Sequence, residues 1–191
     1  MSVVRIIGGK YRGKKISFPN GVPNLRPTPN RVRETLFNWL MDTIRGKRCL
    51  DAFAGSGALG LEAYSRGASN VVFLESVAKV FEHLKAVVAT FATTELRVLR
   101  QQAELYFKNS HESFDLVFLD PPFQQNLLPM CFERLSKGHI LVPGGKVYVE
   151  SPEICVLDER SWELIKAKRA GNVYYALYEK KKRDLFELPP P

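Results

Sequence analysis

Cysteine is scarce in this 191-residue chain: Cys49, Cys131 and Cys155 stand far apart and in no metal-ligand spacing. An odd number of separated thiols excludes a disulfide framework and a zinc knuckle. It points instead to reduced, mostly buried side chains in a cytoplasmic protein. Histidine is equally sparse, and His83, His111 and His139 match neither a catalytic triad nor a ligand set, so no metal is expected. Long apolar runs are missing too. None reaches the ~20 residues needed to cross a bilayer, and the first 15 residues lack the apolar core of a signal peptide. No internal repeat recurs. With 45% hydrophobic and 25% charged residues, the composition is globular and the length fits one ordinary domain.

Acid is what the N-terminus lacks most. Residues 1–34 carry eight basic side chains (Arg5, Lys10, Arg12, Lys14, Lys15, Arg26, Arg31, Arg33) against the one acid Glu34, a local net charge of +7. The rest holds 20 basic and 19 acidic groups, so nearly all of the overall +8 sits at one end. Such asymmetry is an electrostatic footprint for a polyanion. It sets a basic arm with its following helix, residues 1–45, apart from the remaining domain, residues 46–183.

Within the arm, Val3–Ile7 and Lys14–Phe18 flank Gly8-Gly9 and read as a short β-hairpin. Pro19 to Pro29 is an extended connector rich in proline. Thr28 is the expected N-cap of the next helix, with Pro29 at its first position and Val32, Leu36, Trp39, Leu40 and Ile44 on its apolar face. From residue 48 apolar runs alternate with helical periods. Strands are expected at Cys49–Phe53, Val71–Leu74, Leu96–Leu99, Leu116–Leu119 and Lys146–Val149. Helices are expected at Ala58–Arg66, Val77–Phe91, Ala103–Asn109 and Leu127–Ser136. Such alternation implies a doubly wound parallel sheet. Trp162–Lys168 and Val173–Glu179, joined at Gly171, add an antiparallel edge, and the tail from Lys180 is expected to fray.

Gly55-Ser56-Gly57-Ala58-Leu59-Gly60 after the first apolar run satisfies G-x-G-x-x-G, and Glu75 follows twenty residues after Gly55. That pattern serves NAD or S-adenosylmethionine equally. Asp51 before the turn would repel a pyrophosphate but attract an ammonium and a sulfonium. Ala52 to Glu62 offers no basic side chain for a phosphate. S-adenosylmethionine is therefore the better match.

Asp120-Pro121-Pro122-Phe123 closes the apolar run Leu116–Leu119. An exocyclic amine on a nucleobase is a poor nucleophile because its lone pair is delocalised into the ring. Two acceptors on its N–H bonds pull it toward pyramidal geometry. Asp120 supplies one, and the carbonyl of Pro121, held by two successive fixed φ angles, supplies the other. Phe123 offers a ring on which the base can stack, worth about 1–3 kcal/mol.

These residues resemble the RsmD-type family of bacterial 16S ribosomal RNA guanine-N2 methyltransferases, which are Rossmann-like and depend on S-adenosylmethionine. The resemblance runs from Arg5-Ile6-Ile7-Gly8-Gly9 to Tyr174–Tyr178. It is most specific in Leu25-Arg26-Pro27-Thr28, Asn30 to Leu40, Leu50 to Ala63 and Leu119 to Phe123. It implies a mostly parallel seven-stranded sheet with an antiparallel edge, and a cytoplasmic, metal-free monomer acting on 16S ribosomal RNA in a small-subunit assembly intermediate. Carried over, Asp51, Phe53, Gly55, Ser56, Gly57 and Glu75 hold the cofactor, with Gln102 and Ala103 at its adenine. Asp120, Pro121, Pro122 and Phe123 hold the guanine, and Lys10, Arg12, Arg26, Thr28, Arg31 and Arg33 meet RNA. The chain departs from the pattern at Gln102, where asparagine or aspartate is usual, and at Ser76, where an acid is often found. A DNA amino methyltransferase shares the clamp chemistry but usually carries a separate target-recognition region. A protein glutamine methyltransferase does not explain the basic arm. An NAD-dependent dehydrogenase leaves the clamp unexplained, and a non-catalytic RNA-binding assembly factor leaves both motifs idle.

Overall fold

The computed structural model describes residues 1–23 and 25–182. The arm is a two-stranded antiparallel hairpin, β1 (Ser2–Arg5) against β2 (Lys15–Phe18), in register from Ser2–Phe18 to Arg5–Lys15. After the connector comes α1 (Asn30–Trp39). The chain then alternates through β3 (Arg48–Asp51), α2 (Ala58–Ser65), β4 (Asn70–Leu74), α3 (Ala78–Ala89), β5 (Leu96–Leu99), α4 (Ala103–Asn109), β6 (Phe114–Leu119), α5 (Leu128–Lys137) and β7 (Leu141–Ser151). β8 (Trp162–Ala170) and β9 (Val173–Lys180) close it.

Seven of these strands form one sheet in the order β5-β4-β3-β6-β7-β9-β8. β3 through β7 pair in parallel, and β9 joins β7 antiparallel with β8 outside it. The parallel strands are apolar on both faces because both faces are covered. Cys49, Leu116, Phe118 and Tyr148 pack with α1, α2 and α3. Leu50, Val117, Leu119, Val147 and Val149 pack with α4 and α5. Burying each such Leu or Phe contributes roughly 1.5–3 kcal/mol.

Three expectations need correction. Thr28 does not cap α1. The cap position falls on Pro29, whose carbonyl takes the amides of Val32 and Arg33, each at 3.0 Å. The Thr28 hydroxyl is instead drawn inward to a carboxylate on β7. Strand β7 is also longer than Lys146–Val149, running back across Gly144-Gly145 to Leu141 after a register shift against β6. Of the tail expected to fray, Lys180 is buried in β9, its ammonium donating to the carbonyls of Leu135, Gly138 and Leu141. Residues 183–191 lie outside the described residues.

The arm is fastened to the sheet layer by buried charge. Glu62 on α2 accepts the amides of Ile7 (2.8 Å) and Gly8 (2.9 Å) and pairs with Arg66 (2.7 Å) and Arg33 (3.4 Å). Arg33 donates onward to the carbonyls of Thr28 (3.2 Å) and Arg5 (3.0 Å) and to Asn30 Oδ1 (2.6 Å). One guanidinium thus ties hairpin, connector, α1 and α2. Gly9, at φ +76°, lets the hairpin turn lie on the end of α2, where an added Cβ would stand 1.8 Å from the Ser65 carbonyl.

Removing one member of a buried, hydrogen-bonded ion pair leaves the other uncompensated. Glu62→Gln should therefore destabilise the protein by about 3–5 kcal/mol in denaturant titration. Hydrogen exchange should accelerate first at Ile7 and Gly8. A loss below about 1 kcal/mol, the range of a surface pair, would contradict this role.

Candidate active site

Four neighbouring parallel strands end in acid. Asp51 closes β3, Glu75 follows β4, Asp120 follows β6, and Glu150 stands next to last in β7. The β6–β7 register pairs Phe118 with Tyr148 and Leu119 with Val149, which brings Asp120 beside Glu150. Asp51 pairs with Phe118 across β3 and β6. Alternate residues on a strand share a face, so Asp51, Asp120 and Glu150 lie toward the α1–α2 side of the sheet. The strand order reverses between β3 and β6, the crevice where ligands bind in doubly wound sheets.

The glycine turn rises from β3 into α2. Gly57 takes φ +75°, a conformation that L side chains rarely adopt, and starts α2. Its neighbours are held by the edge carboxylates. Glu75 accepts the amides of Gly55 (3.0 Å) and Val77 (2.7 Å), and Asp51 Oδ2 accepts the amide of Gly60 (3.0 Å). Asp51 is 2% exposed, and its Oδ1 takes no hydrogen bond among the described residues. Burial pushes its carboxyl up to about 7, against the Gly60 bond and with the help of the Glu75 charge. Burial raises Glu75 as well, opposed by its backbone donors. Ser56 is buried and Phe53 half-buried. Across the edge, exposed Gln102 precedes α4 and buried Ala103 opens it.

Asp120 is partly exposed and receives no hydrogen bond among the described residues. Its carboxyl is raised well above the ordinary range, first by burial and then by the charges of Glu150 and Asp51. A carboxyl held there without a donor keeps oxygens open to an outside N–H group, and positive charge arriving in the crevice draws it into its ionised form. Pro121 is buried, Pro122 half-buried, and Phe123 is 43% exposed at the start of a single 3-10 turn, Phe123–Gln125.

Glu150 was not anticipated. It is 5% exposed, and its Oε1 accepts both Thr28 Oγ1 (2.7 Å) and Tyr148 Oη (3.0 Å). The signal was present in the sequence: like Asp51, Glu75 and Asp120, it is an acid following an apolar strand run. Of the residues expected to meet RNA, Lys10, Arg12, Arg26 and Arg31 are exposed. Arg33 is 0% exposed and Thr28 is buried, so neither presents a group to a phosphate on the surface. Both serve the interior. His83 and His139 make hydrogen bonds to the backbone at Ser17 and Ser110. A cavity of about 190 Å³ opens between Leu40, Ile44, Asp115 and Gly144. None of the four carboxylates lines it, and its Asp115 is already paired with Lys47 at 3.2 Å.

Together the sheet order and crevice define a Rossmann-like methyltransferase fold. A putative methyltransferase from Escherichia coli, yhhF, superposes with a TM-score of 0.86 and 40% identity over 95% of this chain and all of that one. The family model described as "Conserved hypothetical protein 95" matches residues 4–179. "Ribosomal RNA small subunit methyltransferase D" of Haemophilus influenzae is 42% identical over 181 residues, spanning 92% of this chain and 93% of that protein. The Escherichia coli K12 protein of the same name is 41% identical over 179 residues, 93% and 90% of the two chains. The chain belongs to this family, beside the small-subunit methyltransferases D.

The Asp51 carboxyl gives a stability test. Its folded value of about 7 lies above the ordinary 3.8, so between those values the unfolded chain loses its proton first. Stability therefore falls as pH rises through that window, by a total on the order of 4 kcal/mol for a shift of about three units. Asp51→Asn keeps an oxygen for the Gly60 amide and removes the titration. Chemical denaturation should show the variant gaining on the parent between pH 5 and pH 8. A stability difference that does not change with pH would contradict the burial of this charge.

Proposed function

We propose that the protein transfers a methyl group from S-adenosylmethionine to the exocyclic N2 amine of a guanine in 16S ribosomal RNA, within a small-subunit assembly intermediate. The observation that carries this reading is the Asp120 carboxylate, poised without a donor across the switch-point crevice from the glycine turn.

The crevice suits a cationic nucleoside cofactor. Its donor set is anionic: Asp51 Oδ1 is available to an ammonium, and each oxygen of Glu75 retains a lone pair for a ribose hydroxyl after one backbone bond. A dinucleotide pyrophosphate would meet these charges unfavourably, and residues 52–62 contain no compensating base. Asp51, Phe53, Gly55, Ser56, Gly57 and Glu75 would hold the cofactor, with Gln102 and Ala103 at its adenine. S-adenosylmethionine supplies a methyl group made electrophilic by an adjoining sulfonium.

The protein's own contribution is positioning and charge. Asp120 and the Pro121 carbonyl take the two N–H bonds of the target amine, and Phe123 stacks on the base. Holding the reactants in line supplies roughly 7–11 kcal/mol of barrier reduction. As the amine nitrogen gains positive charge, the Asp120 carboxylate stabilises it in a site where Coulomb terms are little screened. Exposed Lys10, Arg12, Arg26 and Arg31 would neutralise phosphates flanking the target, giving affinity that falls with salt.

Incubation with labelled S-adenosylmethionine and small subunits lacking the modification should yield N2-methylguanosine on nucleoside analysis. Asp120→Ala should lower turnover roughly 10²–10³-fold while calorimetry finds cofactor affinity nearly unchanged. Label in another nucleoside, or normal turnover by the variant, would overturn the reading.

A further inference from the structure

Resting on the methyl-transfer reading above, we infer that Glu150 is a specificity-determining residue. Its Oε2 accepts the N1–H of the target guanine beside the amine held by Asp120, which selects guanine over adenine.

The register puts Glu150 and Asp120 at the ends of adjacent parallel strands, about 4.8 Å apart and on one face of the sheet. Two hydroxyls, Thr28 Oγ1 and Tyr148 Oη, converge on Oε1. They fix the carboxylate's orientation and favour its ionised form, against the burial that raises its protonation range. Oε2 takes no hydrogen bond, and no basic side chain pairs with Glu150, among the described residues. A structural role does not account for this arrangement. The carbonyl of a glutamine would also accept the Thr28 and Tyr148 hydroxyls, without placing a second buried charge beside Asp120. Oε2 keeps a little exposure, since Asn70 Oδ1 is the only fully buried side-chain polar atom without a partner among the described residues, so a donor from outside can reach it.

Guanine offers such a donor in the required place. Its N1–H and N2 amine are adjacent, coplanar donors on one edge, matching two carboxylates side by side. Adenine pairs its amine with an unprotonated N1, whose lone pair would face Oε2 directly. Sites built around a donor reject analogues lacking it more strongly than apolar pockets reject a misfit. Thr28 gives its buried place in the connector a purpose: it anchors residues 25–28 across the crevice and sets the angle of the selecting carboxylate.

The test uses small subunits reconstituted with 16S RNA in which the methylated guanine, first located by nucleoside mapping, is replaced by 2-aminopurine. This base keeps the reacting 2-amine but presents an unprotonated N1. Wild-type protein should favour guanine by roughly 10- to 100-fold in kcat/KM, the worth of one hydrogen bond to a charged group. In Glu150→Gln, Thr28 and Tyr148 hold the carbonyl at Oε1 and turn the amide NH2 toward the base. The variant should lose activity on guanine and gain relative activity on 2-aminopurine, so that the ratio collapses or inverts. Because both rates come from one preparation, partial misfolding lowers them together and leaves the ratio intact. An unchanged ratio in the variant, or parity in the wild type, overturns the inference. Failure of the wild type to form any N2-methylguanosine overturns the underlying reading instead, and this inference with it.

Discussion

Negative charge gathered in a desolvated place is the constraint on which this molecule turns. A parallel sheet aligns the ends of its strands, and here four adjacent ends carry Asp51, Glu75, Asp120 and Glu150. Loss of water raises the protonation range of all four, and the neighbouring carboxylates raise Asp51 and Asp120 further. The protein relieves only part of that cost. Glu75 and Asp51 draw backbone amides from the glycine turn, and Glu150 draws two hydroxyls. Asp120 is left open. The remaining deficit defines the ligands that fit: an ammonium, a sulfonium, ribose hydroxyls and the N–H edge of a base.

Opposite charge is handled differently at the other end of α2. Glu62 and Arg33 are both fully buried, but they complete each other and collect backbone groups from the hairpin, the connector and α1. The basic arm is consequently held against the core rather than tethered beside it. One helix therefore presents its first turn to the switch-point crevice and fixes the basic arm with its last. Exposed Lys10 and Arg12 sit next to that attachment, so their position relative to the crevice is set by a rigid element.

Much of the fold was legible because it is written in local periodicity. The apolar run Leu96–Leu99 and the helical stretch Ala103–Asn109 have the bounds read from pattern alone, and the switch from parallel to antiparallel pairing follows the Gly171 turn. The misreadings concern polar residues with distant partners. Thr28 beside Pro29 has every local feature of an N-cap, yet a buried carboxylate 122 residues away takes its hydroxyl. Arg33 sits in a basic run and was expected to meet RNA, but its partner Glu62 lies on the next helix. Helical spacing also places Arg33 one turn before buried Phe37, a hint that this side faces inward. Glu150 was hidden for another reason. It follows its apolar run as Glu75 and Asp120 follow theirs, but neither a glycine turn nor a proline pair stands beside it to mark it.

The most direct test of this view is proton exchange on cofactor binding. If the edge carboxylates hold protons until a cation arrives, binding near pH 7 must expel part of one, chiefly from Asp51 at about 7. Titration calorimetry with S-adenosylmethionine in buffers of different ionisation enthalpy measures that number. A fractional proton release that vanishes in Asp51→Asn is the predicted result. Binding with no proton exchange at this pH would contradict it.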